Sequence, residues 1–129
     1  MYKLQITTSY AESWRYNIMV TLAMLDGEGN QVGYHSVEDS PLPVGSNSGE
    51  APESWSRRRE VVLNFEACSK VRFYLYFLPN SLPEVTTLAG EHTTFPVQLK
   101  LTSGEREYLS ERLDINRFGG CGKEFVVSL

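Results

Sequence analysis

The run of residues 70–78 (KVRFYLYFL) constrains this chain more than any other, because it is long, free of breakers and almost uncharged. Side chains alternate between the faces of a strand, so Val71, Phe73, Leu75 and Phe77 share a wholly apolar face. Arg72, Tyr74, Tyr76 and Leu78 share the other. Aromatic and β-branched residues fit a half-buried pleated surface, and the run is too short and too aromatic for a helix. It is expected to be a central strand.

The same alternation recurs along the chain. Residues 2–9 carry Leu4 and Ile6 between polar neighbours, and residues 16–25 place Tyr16, Ile18, Val20, Leu22 and Met24 on one face. The second face of 16–25 is semi-apolar, which implies a covered surface. Its alanine, methionines and leucines also suit a helix. The flanking Asp26-Gly27-Glu28-Gly29-Asn30, with two glycines able to take positive φ, decides for a strand and a hairpin back through residues 31–37. On that return strand Val32, Tyr34 and Ser36 share a face.

Residues 57–65 direct Val61, Leu63 and Phe65 inward, and the short link Glu66-Ala67-Cys68-Ser69 suggests that they pair with 70–78 as a hairpin. In 95–102, Phe95, Val97, Leu99 and Leu101 alternate cleanly with polar residues. Pro96 lacks a ladder donor and puts this strand at a sheet edge, or itself at a strand start. Residues 106–115 (REYLSERLDI) fit a helix or a strand. The strand is preferred because the tight turn Ser103-Gly104-Glu105 returns an amphipathic partner. Residues 124–129 close the set with Phe125, Val127 and Leu129 on the core side. Eight such segments without a firm helix predict an all-β fold: one antiparallel β-sandwich domain over residues 1–129, Greek-key or jelly-roll in connection.

A chain of 129 residues with 41% hydrophobic content suits a single core. Its formal net charge of −4 argues against nucleic acid as a partner, since phosphate neutralisation needs a concentrated basic surface. The one basic cluster, Arg57-Arg58-Arg59, reads as a solvated strand end. No apolar stretch reaches the length of a membrane span, and Met1-Tyr2-Lys3 leads straight into a strand. A cytoplasmic protein, or a secreted one whose leader has been removed, is expected.

In an antiparallel sandwich successive connections fall at alternate ends. The hairpin at Asp26, the link at Cys68 and the turn at Gly104 should share one end, all of them short. The other end should collect 10–14, 38–56, 79–93 and 116–122, which include every long loop. Long irregular connections in compact domains are commonly functional. Cys68 and Cys121 fall at opposite ends by this count, so they should be free thiols and not a disulfide.

The long-loop end is therefore the place to look for chemistry. Tyr10, Trp14 and Trp55, with His92 nearby, could form an aromatic platform for a glycan or a partner protein. Both tryptophans could equally be core plugs. Asp39, Glu84, Glu91 and Asp114 supply carboxylates from several loops, enough for a calcium site in principle, although no Asp-x-Asp ladder occurs. His35, His92 and Cys121 should also lie at this end. They show no CxxC, HxH or HExxH spacing for zinc or for a thiol–imidazole pair. Gly119-Gly120-Cys121-Gly122-Lys123 resembles a phosphate loop only superficially, because Arg117 and Glu124 occupy the required glycine and hydroxyl positions.

No family motif is recognised in the chain. The reading that follows is a non-catalytic recognition module, not an enzyme, that binds a protein or glycan with its long loops. One alternative is an assembly subunit that forms a homo-oligomer through the outer face of the central strand, with Arg72, Tyr74 and Tyr76. A calcium-dependent binding domain is the other, and no further cofactor is expected.

Overall fold

The alternating segments close into two four-stranded sheets in the computed structural model, which describes residues 1–53, 55, 58–82 and 93–129. The strands are β1 (Tyr2–Thr8), β2 (Tyr16–Leu25), β3 (Gln31–Asp39), β4 (Arg59–Phe65), β5 (Lys70–Pro79), β6 (Thr94–Ser103), β7 (Arg106–Asn116) and β8 (Cys121–Ser128). One sheet has the order β4-β1-β6-β7 and the other β3-β2-β5-β8. Every pairing is antiparallel. The fold is thus an all-β sandwich of eight strands. Residues 106–115, ambiguous in sequence, lie within strand β7.

β5 lies between β2 and β8, and Val71, Phe73, Leu75 and Phe77 are fully buried. Leu4 and Ile6 of β1 and Phe95, Val97, Leu99 and Leu101 of β6 face them from the other sheet. Burial of each such side chain contributes about 1.5–3 kcal/mol. This layer is the main cohesive term of the fold.

One pairing differs from expectation. β4 and β5 do not form a hairpin: β4 pairs with β1, β5 with β2, and residues 66–69 arch from one layer to the other. Both strands turn an apolar run inward, Val61, Leu63 and Phe65 on β4 and Val71, Phe73, Leu75 and Phe77 on β5, and those runs oppose each other across the core instead of lying side by side. Alternation specifies which face is buried, not which strand is the neighbour.

Pro96 also takes one of its two expected places. β6 is an interior strand, and Pro96 sits near its start, where the β1 ladder has already ended at Thr7 and Gln98. Continuing the ladder would bring Ser9 opposite Pro96. The Thr8 hydroxyl donates to the Pro96 carbonyl at 3.0 Å, so this residue turns its polar groups toward β1. A residue there needs an N–H for the next paired bond, and proline has none. The ladder stops, and β1 and β6 part.

The alternation of connections holds. β1, β3, β5 and β7 finish, and β2, β4, β6 and β8 start, at one end, and the hairpins and the 66–69 arch lie at the other. At the short end, the Asp26 carboxylate accepts N–H bonds from Glu28 and Asn30, each 2.9 Å, while Gly29 takes φ +87°. At the long end, Gly120 has φ +69°, and a Cβ there would lie 1.9 Å from the Phe77 carbonyl oxygen. The glycine-rich stretch is a close turn against β5.

Candidate functional site

Three buried arginines organise the long-loop end: Arg15, Arg59 and Arg117. Arg59 donates from Nε to Asp39 Oδ2 at 2.8 Å and from Nη2 to the Asp39 carbonyl at 2.9 Å. Its Nη1 donates to the carbonyls of Ser13 and Tyr16, both at 2.6 Å. One side chain thereby joins the ends of β3 and β4 to the 9–15 connection. Burial lowers its pKa, and the hydrogen bond and charge of Asp39 oppose that shift.

Arg15 works similarly on different loops. Its Nε bonds Glu12 at 2.9 Å, and its Nη1 donates to the carbonyls of Ser48 and Leu82. Glu12 also lies 3.4 Å from Arg117 Nη2, and the Tyr16 hydroxyl donates to the Arg117 carbonyl. Charge-assisted bonds of this kind are stronger than neutral ones. They tie the 9–15 connection to Ser48, Leu82 and Arg117.

The aromatic trio divides on inspection. Trp14 is 4% exposed, with the Arg15 guanidinium 4.4 Å from its ring centre, and it plugs the sandwich. Tyr10 stacks on Phe95 at 4.4 Å with 15° between the rings. Burial raises its hydroxyl pKa, partly countered by Arg117. Trp55 is half-buried. It lines a cleft of about 310 Å³ with Asp39, Pro41, Pro52, Arg58, Arg59 and Glu60. The indole N–H of Trp55 is buried and finds no acceptor among the described residues.

Next to it lies a second cleft, of about 370 Å³, where β1 and β6 part. It is lined by Thr7, Thr8, Ser9, Arg58, Pro96, Val97, Gln98 and Arg112, so Arg58 belongs to both.

The expected carboxylate cluster is not assembled from the described residues. Asp39 is held by Arg59, while Asp114 pairs with Arg112 at 3.4 Å on β7, an edge strand of the other sheet. Glu84, Glu91 and His92 lie outside the described residues. No group of three or more His, Cys, Asp or Glu side chains among the described residues could hold a metal ion.

His35 departs from its expected end. It sits within β3 with a ring nitrogen 3.0 Å from Glu66, in the arch at the short-loop end. Its strand runs between both ends, so alternation of loops could not place it. The bond to His35 lowers the Glu66 pKa. Cys121 begins β8 opposite Phe77, and Cys68 lies in the short arch. Both thiols are free, and burial raises their pKa values.

On the outer face of β5, Tyr74 and Tyr76 stack at 6.4 Å, and Arg72 pairs with Glu124 at 3.3 Å. A hydrogen bond with Glu124 raises the Tyr74 pKa. Val32, Tyr34, Leu78 and Val126 are exposed large apolar side chains of the same sheet.

The arginine braces escaped the sequence reading, although two of them carry a signal. Arg59 keeps the inward phase of Val61, Leu63 and Phe65, and Arg117 that of Leu113 and Ile115. An arginine in phase with a buried face must find acceptors there. Arg15 has no such signal. The chain matches no family model, no curated protein and no solved structure.

Proposed function

We propose that this protein is a non-catalytic recognition module that takes a partner protein or a glycan in the cleft beside Trp55. One observation carries the reading: a half-buried tryptophan lining a cleft with Pro41 and Pro52, on a rim braced by Arg15, Arg59 and Arg117. A stiff rim spares a ligand the entropy of ordering loops, and tryptophan and arginine are the residues that most often anchor interfaces. Trp14 and Tyr10 do not line this cleft: Trp14 is buried and Tyr10 stacks on Phe95.

The test is selection of binders from a displayed peptide library and a glycan array, repeated with Trp55→Ala. Binders lost in the variant at unchanged melting temperature support the reading. A set of binders indifferent to Trp55 refutes it.

A second reading, self-assembly, is favoured by the contrast between the two outer faces. The β3-β2-β5-β8 face presents Tyr34, Tyr74, Tyr76, Leu78 and Val126, and the other presents Lys3, Glu60, Lys100, Arg112 and Asp114. Light scattering decides it. A dimer that dissociates in Tyr74→Glu supports assembly, and a wild-type monomer at high concentration removes it.

A further inference from the structure

We propose that the cleft between β1 and β6 is an oxyanion site that binds the phosphate of a phosphate monoester. Among the described residues its only charged lining side chains are two arginines, Arg58 and Arg112, in a chain of net charge −4, and none of its described lining residues is a carboxylate. Glu60, opposite Thr7 on β4, accepts a hydrogen bond from Gln5 at 2.6 Å, and Asp114, opposite Pro96 on β7, makes one 3.4 Å contact with the cleft's own Arg112. That contact uses one nitrogen of a fork with five N–H donors. Arg58 makes no ion pair among the described residues.

Around the two guanidinium groups lie further donors suited to phosphate oxygens. The Thr7 and Ser9 hydroxyls make no hydrogen bond among the described residues, and the Gln98 amide stands across the gap, bonded to Ser110. The β1–β6 ladder ends at Thr7 and Gln98, before Pro96, and the opening lies where the two strands part. Arginine forks match tetrahedral oxyanions with paired bonds, and a phosphate monoester is close to dianionic at neutral pH. A volume of about 370 Å³ holds the phosphate with part of the group it esterifies. The proposal goes beyond the Trp55 reading and does not rest on it, for Arg58 is the one residue the two clefts share.

The experiment is an amide-resolved NMR titration of the full chain with inorganic phosphate at pH 5.5 and 7.5, with chloride holding ionic strength constant. Saturable shifts confined to Thr7, Ser9, Arg58, Gln98 and Arg112 are expected, tighter at the higher pH. Arg58→Gln and Arg112→Gln should each weaken binding by about tenfold, the loss of one charge-assisted pair. Lys100→Gln removes the same charge from the same sheet face outside the cleft and should leave binding unchanged. Titration with N-acetyl-O-phosphoserine amide and with glucose 6-phosphate then separates a peptide source from a sugar one. Shifts that spread over the surface, that chloride reproduces, or that all three variants weaken alike would overturn the site. Tighter binding of sulfate than of phosphate at both pH values would overturn the assignment to phosphate.

Discussion

Arg59 holds Asp39 twice, through the carboxylate at 2.8 Å and through the main-chain carbonyl at 2.9 Å. Its remaining donors reach Ser13 and Tyr16, so one guanidinium closes a joint between three segments of chain. Arg59→Met keeps the apolar stem and strands these acceptors. A loss of about 3 kcal/mol or more in urea denaturation is expected, in line with breaking a buried pair from one side. Arg59→Lys should recover only part of it, since an ammonium cannot reach all four acceptors in a plane. A loss below about 1 kcal/mol for the methionine variant would show that the joint is not structural.

The two tryptophans should separate cleanly. Trp14→Ala empties a buried position and should cost about 3–5 kcal/mol. Trp55→Phe should stay within about 1 kcal/mol, because the lost N–H makes no hydrogen bond among the described residues. Chemical denaturation of both variants checks this. Equal costs would mean that Trp55 is a core residue as well.

Glycine is required at one turn and merely preferred at another. Gly29→Ala meets open space at φ +87° and should cost roughly 1–2 kcal/mol from conformation alone. Gly120→Ala adds a collision with the Phe77 carbonyl and should cost about 3 kcal/mol or more. Thermal melts of the two variants would rank them, and a reversed order would contradict the turn geometry.

Acid should weaken the β2–β3 hairpin. Hydrogen bonds from the Asn30 and Glu28 amides hold the Asp26 pKa below its usual value. A depressed carboxylate contributes stability that is present above its unfolded pKa of about 3.9 and is lost as pH falls through the lower folded value. The stability difference between wild type and Asp26→Ala should therefore be full at neutral pH and shrink below about pH 4. Urea midpoints across that window test it; a difference that grew in acid would have the wrong sign.

The strands were legible because apolar alternation is enough to define them. Residues 16–25 and 106–115 have helix-forming composition, and the turns beside them are what mark both as strands. Partners were less legible, and β4 and β5 show why: two strands with apolar faces can pair or oppose each other, and the pattern is the same. The loop end was legible from antiparallel alternation alone. Its contents were not. Trp14 and Trp55 look alike in sequence, and each has an arginine over its ring, yet one is buried and the other lines a cleft.

Pro96 bears on how the β4-β1-β6-β7 sheet could change over evolution. A proline two residues into β6 acts as a stop in a zipper, and the teeth beyond it stay apart. A residue with an N–H at this position would offer the Ser9 carbonyl the main-chain donor that proline lacks, at the edge of the gap lined by Arg58 and Arg112. Exchanging one imino acid would thus offer added sheet beside an opening on the surface. Whether such a variant gains stability and loses its cleft together is a property of a single nitrogen atom.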